Sequence, residues 1–381
     1  MVDHADYLAP RRPDEPTAVK WDGDVGLASG VIDRDTSFDE LLARMLPDVP
    51  CEVLEVVEVR AWGNPDDLRQ WVKARVRKTD PHNLATSLDE LKMRVRLYKP
   101  RPRTPATEDR DVNVVLSDWQ IGKAGEAGGG TKELVKRLAD QLGQVQDYLR
   151  DLKRVGKPYR RIRILKGGDI VDQCFGFGPA GKQLWTNELN LTDQIKLAMD
   201  LDVKWHKALA DRCDELRSFA VASNHGQPRN AGNFSTDDSD SYDLLVHHMT
   251  STVLATNDEA YGHVSVMQPQ DPLVASDDSY GYRVGLTHGH QAGGGGKPIY
   301  KMDAWWRGQD FGGLVDVDLM VAGHFHHPYL LSQAGKTLLG APANDGGSRW
   351  LTSATGEWAD AGTLVFTTTA NGWGDYAILT G

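Results

Sequence analysis

The chain has 381 residues, 40% of them hydrophobic, and a formal net charge of −11 at pH 7, which suits a sizeable core in one large domain plus an appendage. No apolar run approaches the roughly 20 residues that span a bilayer, and the first residues lack a signal peptide's apolar centre, so a soluble, cytoplasmic protein is expected. Cys51, Cys174 and Cys213 are odd in number and far apart, which argues against both a disulfide framework and a thiolate metal site.

Residues 1–36 are rich in Asp, Pro, Gly and Arg with little periodicity, and a flexible segment is expected there. Ser37 to Glu40 carries a capping-box signature that opens a short amphipathic helix. Cys51 to Trp62 has the approximate alternation of a strand, and Asn64 to Asp67 marks a turn before Leu68 to Arg77. Met93 to Tyr98 alternates again and is expected to be a strand, while Lys99 to Pro105 has the composition of a linker. This gives a small basic N-terminal domain and linker over 37–107 and a large second domain over 108–381. Arg69 to Arg103 holds 11 Lys or Arg against three Asp or Glu, a local charge of +8 that leaves −19 for the remainder. Its Arg75, Arg77, Lys78, Arg94 and Arg96, with Trp71 and Tyr98 among them, fit either a phosphate-tracking face with stacking aromatics or a solvated strand face.

From Val114 onward one plan repeats: a short apolar strand, then oxygen or imidazole donors at its carboxyl end. Val114 to Leu116 leads to Asp118 and Gln120. Ile162 to Leu165 leads to Gly168, Asp169 and Asp172, and Phe219 to Ala222 leads to Asn224 and His225. Val284 to Thr287 leads to His288 and His290, and the apolar run Leu314 to Ala322 leads to Gly323, His324 and His326. Between these blocks, Thr131 to Leu152 and Leu191 to Leu216 have helical spacing, and their apolar stripes are expected to be core. The glycine runs at 128–130 and 293–296 are read as substrate-facing loops without a nucleotide-binding fingerprint.

Oxygen and imidazole donors without thiolate suit Mn²⁺, Fe²⁺ or Zn²⁺, and a set this large can hold two ions. A two-metal centre is a standard device for phosphoester cleavage, so the residues themselves suggest the reaction class. Asp172 fits either an orienting carboxylate or a helix-capping one. His290 fits either a substrate phosphate contact or a loop cap. His327 reads as a loop residue, and His4, His82, His206, His247, His248 and His263 lie outside any ligand pattern.

In this order, from about Asp111 to Gly381, the blocks resemble the calcineurin-like metallophosphoesterase superfamily. The resemblance implies an α/β fold, an αββα sandwich of two mixed sheets flanked by helices. It implies Asp169 as the carboxylate bridging two divalent ions, Asp118 and His326 on the first, Asn224, His288 and His324 on the second, and His225 as general acid beside a metal-activated hydroxide. Three positions depart from the pattern. Gln120 stands where a histidine is usual; as a weaker amide ligand it would favour manganese, or magnesium, over zinc, with iron a further alternative. Ser223 replaces a glycine, and Gly226 an acidic residue. The Ser117 to Lys123 and Asn344 to Trp350 segments are also similar to phage- or prophage-type members related to DNA repair nucleases. Arg349 and Trp350 there fit either a substrate contact or a structural loop. The expected function is phosphodiester hydrolysis with DNA as substrate. Alternatives are a small-molecule or cyclic-nucleotide phosphodiesterase or phosphatase, and a non-catalytic DNA-binding or assembly protein on a degraded scaffold. A sheet edge or the N-terminal appendage offers a surface for a homodimer; the sequence names no partner ATPase.

Overall fold

The computed structural model describes residues 18–22, 25–33, 54–62, 69–78, 86–100, 106, 108–124, 129–172, 187–230, 233–234, 237–292, 298–309, 316–346, 358 and 360–380. The helix expected at Ser37 to Glu40, the glycine run at 293–296, Cys51, Cys174, Arg349 and Trp350 lie outside the described residues. The chain divides into two compact units, residues 1–84 and 85–381, a division that falls earlier than residue 107.

The first unit holds one antiparallel sheet of β1 (Ala18–Asp22), β2 (Val25–Asp33), β3 (Leu54–Trp62) and β4 (Arg69–Lys78), in the order β1-β2-β4-β3. Two of these strands come from the segment expected to be flexible; the brief alternation of Ala18 to Asp22 and Val25 to Asp33 is completed by pairing, which a local reading does not see. The two-residue period of β4 places Arg75 and Arg77 on the face opposite Val72, Ala74 and Val76. Their cross-strand partners on β3 are Glu58 and Glu55.

The second unit is a sandwich of two mixed sheets. One runs in the order β10-β7-β6-β5-β16-β17, with β5 (Asp111–Leu116), β6 (Arg161–Lys166), β7 (Glu215–Ala220) and β10 (Val264–Met267) parallel, and β16 (Thr363–Thr369) and β17 (Gly372–Leu379) antiparallel. The other runs in the order β11-β12-β13-β15-β14. There β12 (Tyr282–Thr287), β13 (Leu319–Ala322) and β15 (Lys336–Gly340) are parallel, with β11 (Val274–Ser279) and β14 (Tyr329–Gln333) as antiparallel edges. A short hairpin, β8 (Arg229–Asn230) and β9 (Asn233–Phe234), stands apart. Parallel strands covered on both faces read as apolar runs rather than alternations, as the wholly buried β13 does; β5 is as fully buried but includes Asp111 and Asn113. Val115, Leu165, Phe219, Leu286, Val321, Leu339 and Phe366 meet between the sheets and form the central core.

Helices cover both outer faces. They are α1 (Leu88–Arg96), α2 (Thr131–Arg154), α3 (Leu191–Ala210), α4 (Tyr242–Leu254), α5 (Asp258–Tyr261) and α6 (Pro298–Gly308). Helices α2, α3 and α4 lie on the six-stranded sheet, and α6 buries Met302 and Trp306 against Met320, Ala322 and Leu338 of the five-stranded one. The αββα arrangement expected from the sequence is therefore the one the chain builds. No helix among the described residues is long and apolar enough to cross a membrane.

Two element expectations are corrected. Met93 to Tyr98 is not a strand: it falls largely in α1, where Ser87 accepts the Glu90 amide, Asp89 and Glu90 sit in the first turn, and Leu91 and Val95 are buried one helical turn apart. Arg94 and Arg96 are thus helical residues of the second unit, and Arg94 is engaged by Glu90 at 2.8 Å. The helix beginning at Leu191 ends at Ala210, and Glu215 and Leu216 already belong to β7.

Candidate metal centre

The loops leaving β5, β6, β7, β12 and β13 converge at the carboxyl edge of the sandwich. The first two are laced together: the amides of Asp118, Gln120 and Ile121 donate to the carbonyls of Gly168, Asp169 and Ile170 at 2.9, 2.8 and 3.1 Å. Asn344 secures the first loop from the far end of the chain, its Oδ1 accepting from the Ser117 amide at 2.9 Å and from Trp119 Nε1 at 3.2 Å. Among the described residues eight non-glycine positions have positive φ, and five are here: Asp118, Gln120, Asp169, His324 and His326, at 55°, 46°, 52°, 68° and 61°. Such backbone is costly and persists where its surroundings enforce it, as at functional sites. Gly168 has φ +92°, and a Cβ there would lie 2.6 Å from Ser223 Cβ and 2.9 Å from His288 Nδ1, so only glycine lets the β6 loop pass between its neighbours.

Two donor groups result. Asp169, His288 and His324 form one and Asp118, Asp169 and His326 the other, each with ligand atoms within 4.8 Å of one another. Asp169 is common to both and 1% exposed. His288 Nε2 lies 3.3 Å from Asp169 Oδ1 and 2.8 Å from Asn224 Oδ1, which brings Asn224 into the first of these groups. His288 Nδ1 faces the Gly167 carbonyl at 2.6 Å; a carbonyl only accepts, so Nδ1 carries a proton and Nε2 points inward. In the other group, His326 Nε2 is 3.3 Å from Asp118 Oδ1.

The donors fit divalent ions. Asp118 Oδ1 is buried with His326 Nε2, at 3.3 Å, facing it and no well-formed hydrogen bond, a costly state for a carboxylate oxygen that a cation would relieve. Burial opposes the charge of both aspartates, yet His288 and His225 around Asp169, and His326 around Asp118, hold these carboxyls below the usual range. Burial also opposes a charge on His288, but Asp169 overcomes it and raises the imidazole to about 9. Burial, then the His288 charge, lowers His324 to about 3, so its nitrogens are neutral and available as donors. Ionised carboxylates and neutral imidazoles are what a metal requires.

His225 stands at the rim. Its amide donates to Asp169 Oδ1 at 3.0 Å, its Nδ1 faces the carbonyl oxygen of Asp172 at 3.2 Å and that residue's Oδ1 at 3.5 Å, and its Nε2 is 3.9 Å from Asp169 Oδ2. Burial lowers its pKa below the ordinary histidine value, with Asp169 opposing. Asp172 therefore orients His225. His290 opens a short 3₁₀ turn, its ring 5.3 Å from that of His288. Gln120 sits beside His326, with Nε2 3.5 Å from His326 Nε2 and Oε1 accepting from Lys123 Nζ at 3.0 Å.

Several supporting groups escaped the sequence reading. Asp243, at the start of α4, accepts from the Ile170 amide at 2.9 Å through one oxygen and from the Ser223 amide at 3.1 Å through the other, tying the Asp169 loop to the Asn224 loop. A Cβ on Gly226 would lie 1.9 Å from Asp243 Oδ2. The Asp243 carboxylate thus fills the space that an acidic side chain after His225 would take. Lys123, Asn344 and Asp345 lie in the two segments, Ser117 to Lys123 and Asn344 to Trp350, that carry the narrower resemblance, but the sequence assigns them no role at the site. Of the other histidines described, His206, His247 and His263 bond backbone carbonyls, His248 is exposed, and His327 packs near Tyr329. Arg75, Arg77 and Lys78 lie in the first unit and Arg94 and Arg96 in the second, so the five basic residues do not form one run on one element.

No protein-family model matches the chain, and no curated protein does. Among solved structures it is similar to Vps29 from Entamoeba histolytica complexed with Zn²⁺, at 12% identity and a TM-score of 0.30 over 67% of this chain and 84% of that one. It is also similar to a predicted phosphoesterase from Streptococcus pneumoniae, at 12% identity and 0.28 over 68% and 83%. A third is an archaeal phosphodiesterase, at 9% identity and 0.28 over 70% and 99%. At such identities and TM-scores the chemistry has to be read from the residues themselves.

Proposed function

We propose that the protein is a dinuclear-metal phosphoesterase of the calcineurin-like type that cleaves phosphodiesters, with DNA as its substrate. The observation that carries this reading is the pair of donor groups sharing the buried carboxylate of Asp169. Two divalent ions held by Asp118, Asp169, His326 and by Asp169, Asn224, His288, His324 would supply Lewis acidity toward phosphoryl oxygens and a nucleophile at neutral pH. Manganese is the first candidate, given carboxylate, amide and imidazole donors without thiolate, with magnesium, iron or zinc as alternatives. His225, which faces Asp172 through Nδ1 and belongs to neither group, would pass a proton to the leaving alkoxide. DNA as substrate rests on the basic segment around β4 and α1; the net charge of −11 favours a small phosphodiester instead.

The test is Mn²⁺-dependent cleavage of end-labelled single- and double-stranded DNA beside an aryl phosphodiester. Wild type is expected to cut DNA, Asp169→Asn to abolish turnover, and His225→Ala to lower it by about 10²–10⁴-fold. Turnover of the aryl diester alone would move the substrate to a small molecule. Failure on both, with any of the four metals, would leave the non-catalytic reading.

A further inference from the structure

The sequence has a glutamine at position 120, where the family resemblance implies an imidazole beside Asp118, Asp169 and His326, and the structure shows what that side chain does. The ammonium of Lys123 can only donate, so the Gln120 atom 3.0 Å from it is the carbonyl oxygen. The group turned toward His326 is then the amide NH₂, 3.5 Å from its Nε2, and an NH₂ has no lone pair to offer a cation. Lys123 cannot easily release the oxygen. Its Nζ is held by Asp345 Oδ2 at 2.6 Å, and the two side chains are only 17% and 8% exposed. Asp345 is fixed in turn, its amide donating to the Asp118 carbonyl at 3.1 Å and its Oδ1 accepting from the Gly346 amide at 2.7 Å. The carbonyl of Gln120 is thus tied to the same frame that positions Asp118.

We infer that Gln120 is not a metal ligand: the Lys123–Asp345 pair clamps its amide so that a hydrogen-bond donor, suited to a phosphoryl oxygen of the substrate, faces the centre. The inference rests on the metal-centre reading above. It leaves the position formed by Asp118, Asp169 and His326 with three protein ligands, against four at the position formed by Asp169, Asn224, His288 and His324. The two ions are therefore held unequally, and the weaker one is the ion beside the amide donor.

Calorimetric titration with Mn²⁺ tests this on wild type, Lys123→Met, Gln120→Ala and the double variant, each checked for an unchanged melting curve. Wild type is expected to bind one ion tightly and one weakly, and Gln120→Ala to leave the weak position almost unaltered. Lys123→Met frees the amide to turn its oxygen inward and should tighten the weak position about tenfold, a gain absent when residue 120 is alanine. An equal gain in both backgrounds would show that removing the lysine charge is the whole effect and overturn the clamp. So would a tenfold loss in Gln120→Ala alone, the mark of a ligand. Absence of Mn²⁺ binding to wild type would instead overturn the metal reading itself, and this inference with it. The crystal structure of the Mn²⁺-loaded protein decides the point independently of affinity: Gln120 Oε1 is either still on Lys123 or on the ion.

Discussion

If His288 holds an ion as proposed, a proton and the metal compete for its Nε2. With Asp169 raising this imidazole to about 9 against the effect of burial, its Nε2 is protonated at neutral pH until an ion displaces the proton. The neighbouring donors release none, because Asp169 and Asp118 are held ionised and His324 neutral. Apparent Mn²⁺ affinity should therefore rise by up to about tenfold per pH unit toward pH 9 and level off beyond it, with about one proton released per tightly bound ion. Calorimetry in two buffers of different ionisation enthalpy measures that proton directly; affinity independent of pH would remove His288 from the ligand set. Asp243 acts one step further out. Asp243→Ala frees the Ile170 and Ser223 amides that hold two ligand loops together, and Mn²⁺ affinity is expected to fall by about 10–100-fold. Because the lost carboxylate occupied the space in front of Gly226, adding Gly226→Asp to that variant should recover part of the loss, whereas Gly226→Asp alone should not be tolerated.

The elements that carry the site are fastened below it by buried charge. Lys166, the last residue of β6 and three before Asp169, donates to Asp202 on α3 at 2.6 Å, and Thr250 on α4 donates to the same oxygen at 2.8 Å. Burial opposes the Asp202 charge, but Lys166 and then His206 hold the carboxyl far below its ordinary value. Asp202→Ala leaves the lysine buried without its partner and should cost about 3–5 kcal/mol in denaturant unfolding, with Lys166→Met/Asp202→Leu recovering most of it. The sign with pH follows from the depressed value: the Asp202 contribution is complete above the unfolded carboxylate pKa of about 3.9 and is lost only as pH falls toward the lower folded one. None of this lacing could be read from the sequence, because Lys166, Asp202 and Thr250 lie on three separate elements and nothing local marks them as partners. The residues proposed as ligands stand out in the sequence because each follows its own apolar strand, a local signal. The parts played by Asp243 and Asn344 do not stand out, because they reach the site from elsewhere in the chain, and the positive φ of Asp118 and His326 leaves no mark in residue type. In α1 the local signal misled: Met93, Val95 and Leu97 alternate like a strand, while the stripe that decides the element is Leu91 and Val95, with Ser87 capping.

For the whole molecule the open question is which polyanion, if any, it meets. A surface of net charge −11 repels nucleic acid at long range, so DNA affinity has to come from a local basic face and has to be salt-sensitive. Arg75 and Arg77 share a face of β4 with Glu58 and Glu55 as cross-strand partners, which lowers the net charge that face presents. If DNA nonetheless docks there, Arg75→Gln/Arg77→Gln removes up to two phosphate contacts. The slope of log affinity against log salt should then become shallower by about 1–2 for double-stranded DNA, while hydrolysis of an aryl phosphodiester at the metal centre is unchanged. A double variant with the wild-type slope and unaltered DNA cleavage would place the DNA path elsewhere. A wild type whose binding barely responds to salt would show that no extended phosphate backbone is tracked, and the acidic balance of the chain would then belong to an enzyme for small phosphodiesters.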